Sequence, residues 1–126
     1  MNTDTMPYRL LIVDDSASAR NSVIALLETL PPTVPPLEIH EAVDGRQAVA
    51  LAEEIDPQVI LMDVQMPRMD GIEATRLIKT RRPTIRVIVL TMYAGNQEMA
   101  LSAGADVFLL KGCTPETLFA ALALPT

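Results

Sequence analysis

The chain of 126 residues has no tryptophan, one cysteine (Cys113), one histidine (His40), two tyrosines and two phenylalanines. A single thiol allows no internal disulfide and fits a reducing compartment. Basic residues are the minority, 10 Lys and Arg against 16 Asp and Glu, for a net charge of −6. That balance argues against direct nucleic-acid binding, because phosphate recognition needs clustered Lys and Arg. The RRPTIR segment (81–86) is the only basic cluster and reads as a solvated turn. No apolar run approaches the roughly 20 residues that span a bilayer. The N-terminus MNTDTMPYR lacks the charged-then-apolar layout of a signal peptide. The expected location is therefore cytoplasmic, without membrane association. What the chain has is apolar bulk: hydrophobic residues make up 49 %, enough for one domain over 1–126 with a core that needs no staple.

The apolar residues fall into alternating patterns. Tyr8 to Val13 is a short apolar run, read as a strand, with residues 1–6 before it expected to be flexible. Val23, Leu26, Leu27 and Leu30 then recur at helical spacing, with Ser16 or Ser18 as N-cap. The proline-rich PPTVPP (31–36) stops that helix and makes a stiff connection to a second strand, Leu37 to Ala42. Asp44-Gly45 turns the chain into a helix carrying Ala48, Leu51, Ala52 and Ile55. Val59 to Met62 is a strand too apolar for either face to be solvated.

After a loop rich in Met and Pro, Asp70 reads as an N-cap with Glu73 as its capping-box partner. Ala74, Leu77 and Ile78 form that helix's inner face. Arg86 to Leu90 is a strand, Asn96 to Ala103 a short helix, and Val107 to Leu110 a strand. Thr114-Pro115 is an N-cap followed by proline at the first helical position, opening a helix with Leu118, Ala121 and Leu122 inward. Met62 and Met99 are expected in the core. Five strands alternating with five helices imply an α/β fold: a parallel sheet with helices on both faces.

Such sheets bind ligands beyond the carboxyl ends of their strands. Asp14 and Asp15 end the first strand, Asp63 the third, Thr91 the fourth and Lys111 the fifth, so all five polar groups share one rim. If the first and third strands are neighbours, about 4.8 Å apart, three carboxylates form one pocket. Three acids that close need a cation or must take up protons. An all-oxygen set suits Mg²⁺ or Mn²⁺ better than zinc, which favours His and Cys. Paired N-caps would explain Asp14 and Asp15 only in part, since one cap suffices. His40 reads as structural, on the opposite rim, and Cys113 as incidental.

With these residues placed, the chain resembles the receiver domain of two-component response regulators over almost its full length. The features that match are the acid pair in IVDDSAS, the acid in LMDVQMPRMDG, the threonine in VIVLTMY and the lysine closing AGADVFLLK. The LTMY and FLLK stretches are similar to receivers with helix-turn-helix outputs of the LuxR type. The resemblance implies a flavodoxin-like, doubly wound sheet of five parallel strands in the order 2-1-3-4-5. It also implies phosphorylation of Asp63 by a histidine kinase or histidine phosphotransfer protein. The resemblance makes Asp15, Asp63 and the backbone carbonyl of Gln65 direct ligands of Mg²⁺ (or Mn²⁺), with Asp14 acting through a water. Thr91 and Lys111 would contact the phosphoryl group, and Thr91 with Phe108 would form the switch. Gln65 and Tyr93, two residues past Asp63 and Thr91, would tune hydrolysis. A homodimer through helix 4, strand 5 and helix 5 is a further expectation. Gly112 stands where many receivers carry a cis-proline, and Met92 where many carry a small residue.

Such a module is not an enzyme beyond its own phosphorylation and dephosphorylation. The alternative is an aspartyl-phosphate phosphohydrolase of the haloacid dehalogenase type, which needs a second acid two residues past the nucleophile; here that residue is Gln65. A flavin carrier would need a phosphate loop after the first strand, where DDSASA is acidic.

Overall fold

The computed structural model describes residues 7–31 and 35–125. The segment 1–6, residues 32–34 of the proline-rich connection and residue 126 lie outside the described residues. The elements run β1 (Tyr8–Val13), α1 (Ala17–Leu27), β2 (Leu37–Ala42), α2 (Gly45–Ile55), β3 (Val59–Met62) and α3 (Gly71–Arg81). β4 (Arg86–Thr91), a 3₁₀ turn (Ala94–Asn96), α4 (Gln97–Ser102), β5 (Val107–Leu110) and α5 (Pro115–Leu122) complete the chain. All strands pair in parallel, in the order β2-β1-β3-β4-β5. The sheet order implied by the resemblance is the one observed.

Alternation along the strands splits the interior into two cores. Leu11, Val13, Ile60, Met62, Val87 and Val89 face one way and pack with Ala48 and Ala52 of α2, Ile78 of α3 and Ala100 of α4. Leu10, Ile12, Val59, Leu61 and Ile88 face the other way, toward Leu27 of α1 and Leu118 and Leu122 of α5. β3, at the middle of the sheet, is buried along its whole length, as its unbroken apolar run requires.

The helix ends are set by side chains. Ser16, Asp44, Asp70 and Thr114 each accept a backbone N–H three residues on, from Ala19, Gln47, Glu73 and Thr117, and each such cap is worth about 1 kcal/mol. Four expectations need correction. α1 ends at Leu27, so Leu30 lies beyond the helix, half-buried against the α1–α5 core. Glu73 ion-pairs with Arg76 (3.6 Å), and no reciprocal capping bond to Asp70 is seen among the described residues. Met99 is 59 % exposed: α4 turns its alanines inward, Ala100 in the helix and Ala103 just past its end. His40 sits inside β2 opposite Leu11, not at a rim, and pairs with Glu38 at 2.7 Å.

Candidate functional site

The parallel register sets the acids side by side. Val13 pairs with Met62, so the next residues, Asp14 and Asp63, leave adjacent strands at the same height. The Asp63 N–H donates to the Val13 carbonyl (2.9 Å), and the Asp14 N–H to the Ala42 carbonyl (3.1 Å). On the other side of β3, Thr91 is the last residue of β4. Lys111 follows β5 and donates its N–H to the Thr91 carbonyl at 2.8 Å. The strand order therefore brings Asp14, Asp15, Asp63, Thr91 and Lys111 to one rim, as the sequence predicts.

The side chains converge as well. Asp14, Asp15 and Asp63 each offer an oxygen, and the three oxygens lie within 4.8 Å of one another. The Lys111 ammonium is 2.7 Å from Asp14 Oδ2 and 3.5 Å from Asp63 Oδ2. Asp14 Oδ1 accepts the Ser16 N–H, and Asp63 Oδ1 the Val64 N–H, both at 2.9 Å. Asp14 is 6 % exposed, Asp63 9 % and Thr91 1 %. A cavity of about 220 Å³ opens beside the acids, lined by Asp14, Asp63 and Lys111 and by apolar side chains including Leu26, Leu61, Leu90 and Leu118.

One lysine does not neutralise three carboxylates. Burial, and then the charge of Asp14, push the Asp63 carboxyl above the usual carboxylate range, and Lys111 offsets this only in part. Burial alone would lower the Lys111 ammonium. Its hydrogen bond to Asp14 and the charges of Asp63 and Asp14 outweigh that and raise it, so Lys111 stays protonated. The residual negative charge and the all-oxygen donors fit a hard dication. Ligands of one octahedral Mg²⁺ stand roughly 3 to 4.2 Å apart, within small side-chain adjustments of the observed spacing.

The other expected residues lie around this centre. Gln65 is exposed in the loop after β3. Tyr93 is 55 % exposed and Met92 68 %, both just past the end of β4. Phe108 is half-buried against the core shared with α2, α3 and α4. The Lys111–Gly112 link is not cis, since none of the described residues has a cis bond, and Gly112 takes a positive φ of 92°.

Sequence reasoning missed three contributors. Arg20 of α1 donates to the Asp14 carbonyl (2.7 Å) and ion-pairs with Glu41 (2.7 Å), bracing the acid loop from behind. Arg68 pairs with Asp44 at 2.6 Å. Gly71 is required because a Cβ there would lie 1.8 Å from the Asp63 carbonyl oxygen. Only Gly71 left a signal, a glycine at the first turn of a helix just after the MPRMD run.

The sequence pattern of the response regulator receiver domain matches residues 10–123. The chain belongs to this family. Among curated relatives, the protein-glutamate methylesterase/protein-glutamine glutaminase 4 of Myxococcus xanthus is 40 % identical over 114 residues, covering 88 % of this chain and 31 % of that protein. The chain spans about a third to a half of the length of the curated relatives it matches. A LuxR-family two-component response regulator from Aurantimonas sp. SI85-9A1 superposes with a TM-score of 0.82 at 31 % identity, covering 94 % of this chain and 86 % of that one. The receiver domain of the sensor histidine kinase PA1611 from Pseudomonas aeruginosa superposes at 0.80 with 30 % identity, covering 93 % and 95 %. That structure carries a magnesium ion in its active-site cleft. The haloacid dehalogenase alternative finds no support. No helix among the described residues is long and apolar enough to cross a membrane.

Proposed function

We propose that the chain is a phosphorylation-driven receiver module in which Asp63 takes a phosphoryl group from a histidine kinase or histidine phosphotransfer protein. The observation that carries this reading is the convergence of Asp14, Asp15 and Asp63 within 4.8 Å, with Lys111 3.5 Å from Asp63. Asp14, Asp15 and Asp63, with the backbone carbonyl of Gln65, would hold Mg²⁺ or Mn²⁺. Bound there, the dication would supply positive charge between the anionic carboxylate and the anionic phosphoryl group. Asp63 Oδ attacks phosphorus as the P–N bond of the donor phosphohistidine breaks, and the imidazole leaves. Phosphoryl transfer has a loose transition state, so positioning and charge neutralisation do most of the work. Lys111 leaves Asp14 to pair with one phosphoryl oxygen, and the Thr91 hydroxyl donates to another.

Thr91 and Phe108 then form the switch. Movement of Thr91 toward the phosphoryl group vacates space into which Phe108, half-buried on the neighbouring strand, can turn. The surface of α4, β5 and α5 is the responding face and the site of a homodimer or partner contact. Its exposed Met99, Leu101 and Leu110 support that assignment. We take the chain as a single receiver domain acting in the cytoplasm, with no direct nucleic-acid contact by this domain.

The test is direct. Incubation with acetyl phosphate and Mg²⁺ should add one phosphate to the intact mass of the wild type and none to Asp63→Asn. Equal labelling of both proteins overturns the assignment.

A further inference from the structure

The loop from Val64 to Asp70 carries Gln65 and is held at both ends. The Gly71 N–H closes it onto the Val64 carbonyl at 2.8 Å. Near its far end the Met69 carbonyl accepts the Gly45 N–H at 3.0 Å, and Gly45 has no room for a Cβ, which would lie 2.4 Å from that same oxygen. The first turn of α2 is thus pressed against the loop backbone.

Arg68 adds a second tie. It has φ 69°, a left-handed conformation that glycine adopts freely and a side chain resists. Nevertheless the position holds arginine, and its Nε donates to Asp44 Oδ2 at 2.6 Å. The other oxygen, Asp44 Oδ1, accepts the Gln47 N–H at 2.8 Å and caps α2. The Asp44 side chain is 8 % exposed, so the pair is little screened on that side. One carboxylate therefore ties the β2–α2 turn, the start of α2 and the loop after Asp63 together.

We infer that Asp44 and Arg68 are positioning residues for the cation site: their ion pair holds the Val64–Asp70 loop in the shape that presents the Gln65 carbonyl to the metal. This rests on the metal-site reading above. Neither residue belongs to the acid cluster, and both act through the loop backbone. Partners that orient metal ligands typically change affinity ten-fold or more when removed. The pair also accounts for a left-handed arginine where glycine would be unstrained.

The experiment titrates Mn²⁺ alone into the whole chain and follows the paramagnetic resonance signal of the free ion. Proteins compared are wild type, Asp44→Asn, Arg68→Gln, Arg68→Lys and the Asp44→Asn/Arg68→Gln pair, each also melted in EDTA. Asn caps a helix as well as Asp, so Asp44→Asn removes the ion pair and keeps α2 intact. The expected result is about ten-fold weaker Mn²⁺ binding in each of Asp44→Asn and Arg68→Gln. The double variant should be no weaker than either single, and Arg68→Lys should recover most of the affinity. Lower melting temperatures with wild-type Mn²⁺ affinity would overturn the inference and leave the metal site standing. A wild type that takes up no Mn²⁺, or one unaffected by Asp15→Asn, would instead overturn the metal-site reading itself.

Discussion

Replacing Asp63 by Asn should stabilise the metal-free protein, although it removes the residue on which the function turns. Asp63 faces two other carboxylates at no more than 4.8 Å and one ammonium at 3.5 Å. At an effective dielectric of about 20, each repulsion is at least ~3.5 kcal/mol and the attraction ~4.7 kcal/mol, leaving Asp63 about 2 kcal/mol worse off charged. In bulk-water dielectric the same difference is about 0.5 kcal/mol. Asp15 is exposed, so its repulsion is screened and the effects of Asp14 and Lys111 nearly cancel. Burial of the charged carboxyl, the first cause of the raised Asp63 pKa, then decides the sign, at a cost of about 1 kcal/mol. For a domain of this size that is roughly 4 °C in melting temperature. Asparagine can still accept the Val64 N–H, so the backbone at the site is kept.

The pH dependence has a definite sign. The Asp63 carboxyl titrates higher folded than unfolded, so its charge penalty is fully present above the folded pKa and disappears as the pH falls below the unfolded one. The advantage of the variant should be largest near neutrality and should close in acid. Metal reverses the order, because only the wild type keeps the full ligand set; at a hundred times its dissociation constant Mg²⁺ adds about 2.7 kcal/mol. Urea denaturation in EDTA and in Mg²⁺ measures both effects. A variant less stable than wild type in EDTA at pH 7, or equal gains from Mg²⁺ in both, would refute the electrostatic account.

Other outcomes follow from particular contacts. Gly71→Ala forces a Cβ against the Asp63 carbonyl and should cost about 3 kcal/mol by overpacking, read as a lower urea midpoint. Asp44 is held below the usual carboxylate range, first by the Gln47 N–H and then by Arg68. Its contribution is present above the unfolded pKa and lost as the pH falls through the folded one, so Asp44→Asn should be less stable than wild type at pH 7 and equal to it in acid; an unchanged gap would refute this. If Tyr93 shields the acyl phosphate from in-line water, Tyr93→Glu should dephosphorylate about ten-fold faster, or ~1.4 kcal/mol less barrier. Decay at the wild-type rate would remove Tyr93 from that role. Beryllofluoride with Mg²⁺ should raise the sedimenting mass of the wild type but not of Phe119→Asp, whose side chain is half-buried on α5; equal masses would count against the dimer face.

Buried parallel strands are continuous apolar runs, and every α-helix except α4 is opened by a short polar side chain that caps it, so the order of elements could be read residue by residue. The rim of polar groups followed, because a residue just past a strand has its position fixed by the strand. Strand order could not come from periodicity, which is silent on neighbours; it came with the resemblance. Met99 was misplaced because α4 has only six residues, too few for spacing to select a face when alanines compete for the inside. Arg68 and Asp44 are 24 positions apart, and nothing local marks them as partners. Arg20 and Glu41 are hidden in the same way.

The strand order also decides which strands are held from one side only. β1 has partners on both sides, β2 through six residue pairs and β3 through four. β5 is four residues long and has β4 as its one neighbour, and β2, at the other edge, has only β1. Of the two edge strands β2 is held by six residue pairs and β5 by four, and the strand with fewer contacts is the more readily opened. Phe108 and the end of the sheet that carries Lys111 thus belong to its least protected margin, where amide hydrogens exchange soonest. The face proposed to answer phosphorylation is the part of the sheet that costs least to rearrange.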